Sequence, residues 1–175
     1  PDRASVDALL DPLPDLERDG LVPQLDDAEC EAAAAQRRGA HERFERAVKR
    51  ALFAASRASD LPGASPELPA DRLARFGVAL RRSAVRDAVW MAVDEGRLDG
   101  RPLWRQLARR LPAPFDAAPL FLFAWRTWRE GDGALAGMAA ARALASDPGY
   151  SAADLLLAAL SQAVDPRALP RLRSR

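Results

Sequence analysis

The chain has very few of the side chains from which small reaction centres are usually built. It holds one cysteine, Cys30, one histidine, His41, one tyrosine, Tyr150, and one lysine, Lys49. A single cysteine excludes an internal disulfide, and one cysteine with one histidine excludes the usual Cys–His zinc sets. There is no glycine-rich loop followed by Lys-Ser or Lys-Thr, and no nucleophile stands at motif spacing from a base. The expectation is therefore no cofactor, no metal and no free-standing enzyme. Long apolar runs are missing too. The run at 117–125 falls far short of the roughly 20 residues a bilayer needs. No signal-peptide pattern is visible. The expected setting is the cytoplasm, without a membrane partner. Net charge is +1, so no global electrostatic preference for a partner exists.

What the chain does have is alanine, arginine and a few large aromatics. Hydrophobic residues make up 49%, but much of that is alanine, so four tryptophans and six phenylalanines must supply most of the large-area burial. Each can bury about 150–250 Å². All the basic residues except Lys49 are arginine, which beside so much alanine reads as genomic base composition and not as a nucleic-acid signature. The charge is unevenly spread. Residues 1–31 carry ten acids against Arg3 and Arg18, a segment near −8, which leaves the rest near +9. Such an acidic, proline-containing stretch predicts a disordered arm over 1–25, with short helical turns possible at 4–10 and 13–18.

The stretch 117–160 carries the clearest architecture. The apolar run predicts a buried helix opening near Pro119, with Trp125 and Trp128 neighbours on one face. Gly131-Asp132-Gly133 then predicts a left-handed stop followed by an N-cap. A second, alanine-rich helix over Ala134–Ala145 can let a neighbour approach closely. Arg142 shares its face with Leu135, Met138 and Ala139. Its head either reaches water or is held by a carboxylate. Asp147-Pro148-Gly149 ends this helix. Ser151, with Asp154 three residues on, predicts a capped third helix that buries Leu155, Leu156, Leu157 and Leu160.

Upstream, one long helix is predicted over 27–59, capped by Asp26 and bent near Gly39. Phe44, Val48, Ala51, Leu52 and Ala55 form its apolar stripe. Arg43, Arg46, Arg50 and Arg57 fall on the far side, a basic face within 37–57. This face is a solvated surface, a dock for the acidic arm, or a contact for nucleic acid or an acidic partner. His41 is expected at the core or its rim. A turn-rich connection follows at 60–69. Helices are predicted at 70–82, at 84–95 with Ser83 as cap unless the two run on as one, and at 102–111. Arg86 and Asp87 are adjacent in sequence, so each is expected to bond elsewhere, either as a surface pair or as a polar pair lining a groove between hairpins. Residues 26–165 are read as a single helical domain, and 166–175 as a basic flexible tail.

The fold class expected is all-α, packed helix hairpins. Leu120-x-x-Phe123-Ala124-x-x-Thr127, then Ala136-x-x-x-Ala140-x-x-Ala143 and Pro148, overlay a tetratricopeptide frame. The frame would begin again at Asp154, Leu157-Ala158 and Ser161. A family resemblance rests on overlapping residues. They are Val85-Arg86-Asp87, Ala118-Pro119-Leu120, Ala124-Trp125, Trp128, Gly131 to Ala136, Arg142-Ala143-Leu144, Asp147 to Tyr150 and Leu155-Leu156. In this order they resemble the C-terminal part of the family called domain of unknown function 4192, seen mainly in actinomycete-type bacteria. The resemblance covers roughly 83–165. It implies no catalytic residue, because that family has no established reaction. It also implies a strand–helix front half that has no counterpart in this chain, which reads as a C-terminal fragment or a shortened relative.

Three functions follow. The first is a non-catalytic interaction or structural module for a protein or peptide, with Arg86, Asp87, Trp125, Trp128, Arg142 and Tyr150 as candidate groove residues. The second is an accessory domain of an enzyme whose catalytic part lies in a missing N-terminal half. The third is weak nucleic-acid binding through the basic helix and the arginine-rich tail.

Overall fold

A computed structural model describes residues 9–63 and 67–172. Among these residues the chain is all-α and contains no strand. Its helices are α1 (Asp15–Asp19), α2 (Val22–Arg37), α3 (His41–Ser59), α4 (Ala70–Leu80), α5 (Ser83–Asp94), α6 (Arg101–Arg110), α7 (Ala117–Arg129), α8 (Gly133–Ser146) and α9 (Ser151–Ser161). No described helix is long and apolar enough to cross a membrane.

Helix α7 lies at the centre, packed against α4, α5, α6, α8 and α9. Every residue from Ala117 to Trp125 is buried, as are Thr127 and Trp128. A helix apolar on all sides is stable only when neighbours surround it. The punctuation after it forms as the residues predict. Gly131 is left-handed at φ 96°. Asp132 caps α8 by accepting from the Leu135 N–H at 3.0 Å. Small residues then let α8 and α9 close up: a Cβ on Gly133 would touch the Leu160 side chain at 3.4 Å.

Several expectations need correction. The predicted helix over 27–59 is two helices, because Gly39 turns left-handed at φ 63° and a left-handed residue cannot continue a right-handed helix. The first of them starts earlier, at Val22 with Pro23 in its first turn, so Asp26 lies inside it and caps nothing. Ser83 and Ser151 are the first residues of their helices and not caps. Buried Tyr150 takes the cap position before α9 and leaves Ser151 in the first turn. Leu155 points outward at 67% exposure, since Ala152, Ala153 and Leu156 already define the buried side.

Acidic-segment residues from Leu9 onward lie on the body of the protein, and residues 1–8 fall outside the described ones. Leu10, Leu21 and Leu25 are buried in the core. The Leu13 N–H donates to the Arg109 carbonyl at 2.9 Å, and Arg109 Nε donates to the Asp11 carbonyl at 2.8 Å. Among the described residues these bonds tie the segment to α6. Of the two predicted turns, 13–18 is met by α1, and 4–10 falls mostly outside the described residues.

One turn is sterically tight. Gly100 has φ 66°, and a Cβ there would stand 2.5 Å from Trp104 Nε1 and 2.6 Å from Ser56 Oγ. Its N–H donates to both Asp60 carboxylate oxygens, at 2.9 and 3.1 Å. Gly100→Ala adds a left-handed penalty to an overpacked core and should lower stability by at least about 2 kcal/mol in urea unfolding.

Candidate functional site

Three of the groove residues picked from the sequence, Trp125, Trp128 and Tyr150, fall into one aromatic body with Trp90 and Phe121. Tyr150, Phe121, Trp90, Trp125 and Trp128 stack in series, with ring centroids 5.6, 4.9, 4.9 and 5.1 Å apart. Tilted and edge-on pairs of this kind suit the ring quadrupoles. Trp125, Trp128 and Tyr150 are buried, so they hold helices together and present no free face to a partner.

A charged residue closes each end of the series. Arg86 stands 5.7 Å over the Tyr150 ring. Its Nε donates to Asp87 Oδ1 at 2.8 Å, which corrects the expectation that the two would not meet. Adjacent helical positions diverge by about 100°, but the long arginine stem curls back across that gap. Burial opposes the Arg86 charge, while the Asp87 carboxylate and Tyr150 together outweigh it and hold the guanidinium pKa above its ordinary value. Burial pushes the Tyr150 hydroxyl well above the usual phenol range, so it stays protonated. Arg142 is half-buried and joins none of these groups. It has no hydrogen bond or ion pair among the described residues, and its charge acts on Asp116.

The other end holds a constellation the sequence reading passed over. Asp94 is fully buried, and the Arg129 side chain is 3% exposed. Asp94 Oδ1 accepts from Arg129 Nε at 2.6 Å and from Trp125 Nε1 at 2.8 Å. Arg129 also stands 5.4 Å over the Trp125 ring and 5.7 Å over Trp128. The signal was spacing: Asp94 follows Trp90 by four residues, and Arg129 follows Trp125 by four. Each charge thus shares a helix face with a packed indole.

Asp116 at the start of α7 is a second buried carboxylate. It accepts from the Ser146 hydroxyl and lies 3.5 Å from Arg18. Burial raises its pKa above the ordinary 3.8, with Ser146, Arg18 and Arg142 acting in the opposite direction. The folded state thus holds the proton more tightly than the unfolded chain. This destabilising contribution is absent below pH 3.8 and sets in as pH rises through the raised value. Asp116→Asn should therefore gain stability relative to the wild type as pH rises across that window, read from urea midpoints of both proteins.

Arg43, Arg46, Arg50 and Arg57 are all exposed on α3. Arg46 pairs with Glu42 at 3.4 Å; Arg43, Arg50 and Arg57 have no ion pair among the described residues. Beside this face, α3 and α4 enclose a groove of about 250 Å³. Phe44, Ala47, Val48 and Ala51 give it an apolar floor, and Glu31, Asp71, Arg72 and Arg75 line the rest together with Phe76. Arg75 and Glu31 form a two-point pair across it at 2.9 and 3.1 Å. His41 is half-exposed nearby. Cys30 is exposed and free. Among the described residues, no group of three or more His, Cys, Asp or Glu stands together to hold a metal.

The chain matches the family described as domain of unknown function (DUF4192) over residues 1–167, and it belongs to that family. The match reaches well upstream of 83–165 and takes in the acidic segment. No curated protein and no solved structure matches the chain.

Proposed function

We propose that this member of a family without an assigned activity is a non-catalytic helical interaction module, and that it grips an acidic amphipathic helix along the groove between α3 and α4. One observation carries the reading: an exposed arginine face whose members mostly lack an acid partner runs beside an apolar groove on the same helix. An amphipathic helix would lay its apolar side on Phe44, Ala47 and Ala51 and its acids against Arg43, Arg46 and Arg50. A protein partner is favoured over nucleic acid because the groove floor of Phe44, Ala47, Val48 and Ala51 is apolar, and a phosphate backbone has no apolar face to lay on it.

The broader reading keeps α7, α8 and α9 as tetratricopeptide-like hairpins, supported by the frame running from Leu120 to Pro148. It also takes the chain as similar to the C-terminal part of an actinomycete-type family whose members act in the cytoplasm, a reading that rests on the ordered residues over 83–165. A second reading, an accessory domain whose partly exposed Arg86 and Asp87 face the catalytic half, rests on that polar pair beside Tyr150.

The test is fluorescence anisotropy with two labelled probes: a helical heptad peptide with leucine on one face and glutamate elsewhere, and duplex DNA. Saturable peptide binding that exceeds DNA binding at near-physiological salt is expected. DNA binding alone, with steep salt dependence, would replace the proposal with the nucleic-acid reading.

A further inference from the structure

The Asp94–Arg129 pair does more than close the aromatic series, because it holds a peptide by its main chain. Arg129 donates through Nη1 to the Pro166 carbonyl and to the Leu169 carbonyl at 3.1 Å, and through Nη2 to the Pro170 carbonyl at 3.2 Å. Asp94 Oδ2 accepts the Leu172 N–H at 2.6 Å, and the Asp94 carbonyl accepts from Arg171. One buried acid and one buried base thus read three carbonyls and one amide of residues 166–172. The side chains of that segment point mostly outward: Arg167, Ala168, Leu169, Pro170 and Arg171 are exposed. Only the Leu172 side chain packs against the core. Recognition of this kind depends on a main chain that turns at 166–168 and then runs on to one apolar anchor, and hardly on which copy of the chain supplies them.

The hinge that delivers the segment is strained. Ala163 ends α9 in the left-handed region at φ 51°, a position where glycine is usual and alanine carries a steric cost. The Ala163 N–H bonds to the Leu160 carbonyl and the Val164 N–H to the Ala159 carbonyl, so the chain must turn sharply before it can reach Asp94. Short hinges under strain favour exchange between copies, since opening the hinge relieves the strain while every docking contact is re-formed.

We infer that Asp94 and Arg129 form a binding site for a peptide main chain, filled within one chain by residues 166–172, and that in a second state each copy's segment occupies the site of another copy, giving a tail-exchanged dimer. The site in such a dimer is completed by the partner copy's Leu172 amide and carbonyls.

The test uses the full chain in sedimentation velocity, equilibrated over a wide concentration range. A dimer that grows with concentration is expected. An acetylated, amidated peptide with the sequence of residues 166–172 should dissolve it. The same peptide N-methylated at its last leucine lacks the amide proton that Asp94 takes, and should need about tenfold more, as for loss of a hydrogen bond to a charged group. Ala163→Gly removes the hinge strain and should shift the balance to monomer without lowering the melting temperature. A chain that stays monomeric at every concentration overturns the inference. So does a dimer that the tail peptide leaves intact, or one that both peptides dissolve equally.

Discussion

Asp94→Ala is expected to lower the unfolding free energy by about 3–5 kcal/mol, the range for removing one partner of a buried ion pair. The carboxylate is fully buried and meets three donors: Arg129 Nε, Trp125 Nε1 and the Leu172 N–H. Removing it leaves a guanidinium in the interior with no opposing charge, and leaves an indole N–H and a main-chain amide without acceptors. The gross attraction of the pair is not the quantity at stake, because moving both charges out of water has already offset much of it. What the substitution exposes is the cost of the orphaned arginine. Urea unfolding followed by far-ultraviolet circular dichroism measures the loss. A change below about 1 kcal/mol, the usual effect of an ordinary hydrogen bond, would show that Arg129 reaches water easily and that the pair is not buried as described.

Trp125→Ala should cost a similar amount, about 3–5 kcal/mol, by a different route. The indole touches Trp90, Phe121 and Trp128 and lies beneath Arg129. Truncation leaves a large cavity at the middle of the aromatic series, and the central position of α7 limits how far the walls can relax. Because Trp125 also donates to Asp94, the two substitutions share a network and should not add. The double variant is expected to lose less than the sum of the single losses by about 0.5–3 kcal/mol. Strict additivity would mean that the Trp125–Asp94 bond contributes nothing of its own. Trp125→Phe, which keeps ring packing and removes the donor, separates the two contributions in the same unfolding experiment.

Much of this architecture was legible in the residues. The helix at Ala117–Arg129 follows from an apolar run with no polar break, and Gly131-Asp132 marks both the stop and the next cap. The amphipathic pattern of α3 placed the arginines outside and Val48 and Leu52 inside. Three features were not legible, each for a physical reason. The break at Gly39 depends on a left-handed turn, whereas glycine within a helical pattern is also tolerated as a mere weak point. The docking of the acidic segment depends on Leu10, Leu21 and Leu25, three leucines whose burial is masked by the density of charge around them. The Asp94–Arg129 pair joins positions 35 residues apart. Local spacing shows that each charge lies on an apolar face, but not that the two faces meet. Hence Trp125, Trp128 and Tyr150, chosen with Arg86, Asp87 and Arg142 as a groove, lie in the interior.

The most direct measurement is therefore the charge-reversal variant Arg43→Glu, Arg46→Glu and Arg50→Glu, compared with the wild type for binding of the acidic amphipathic peptide and for urea unfolding. All three side chains are exposed, so the unfolding free energy should move by no more than about 0.5 kcal/mol per site. Binding should be lost, and its salt dependence with it. Binding that survives the reversal, on a protein of unchanged stability, would contradict the assignment of α3 as the interaction surface.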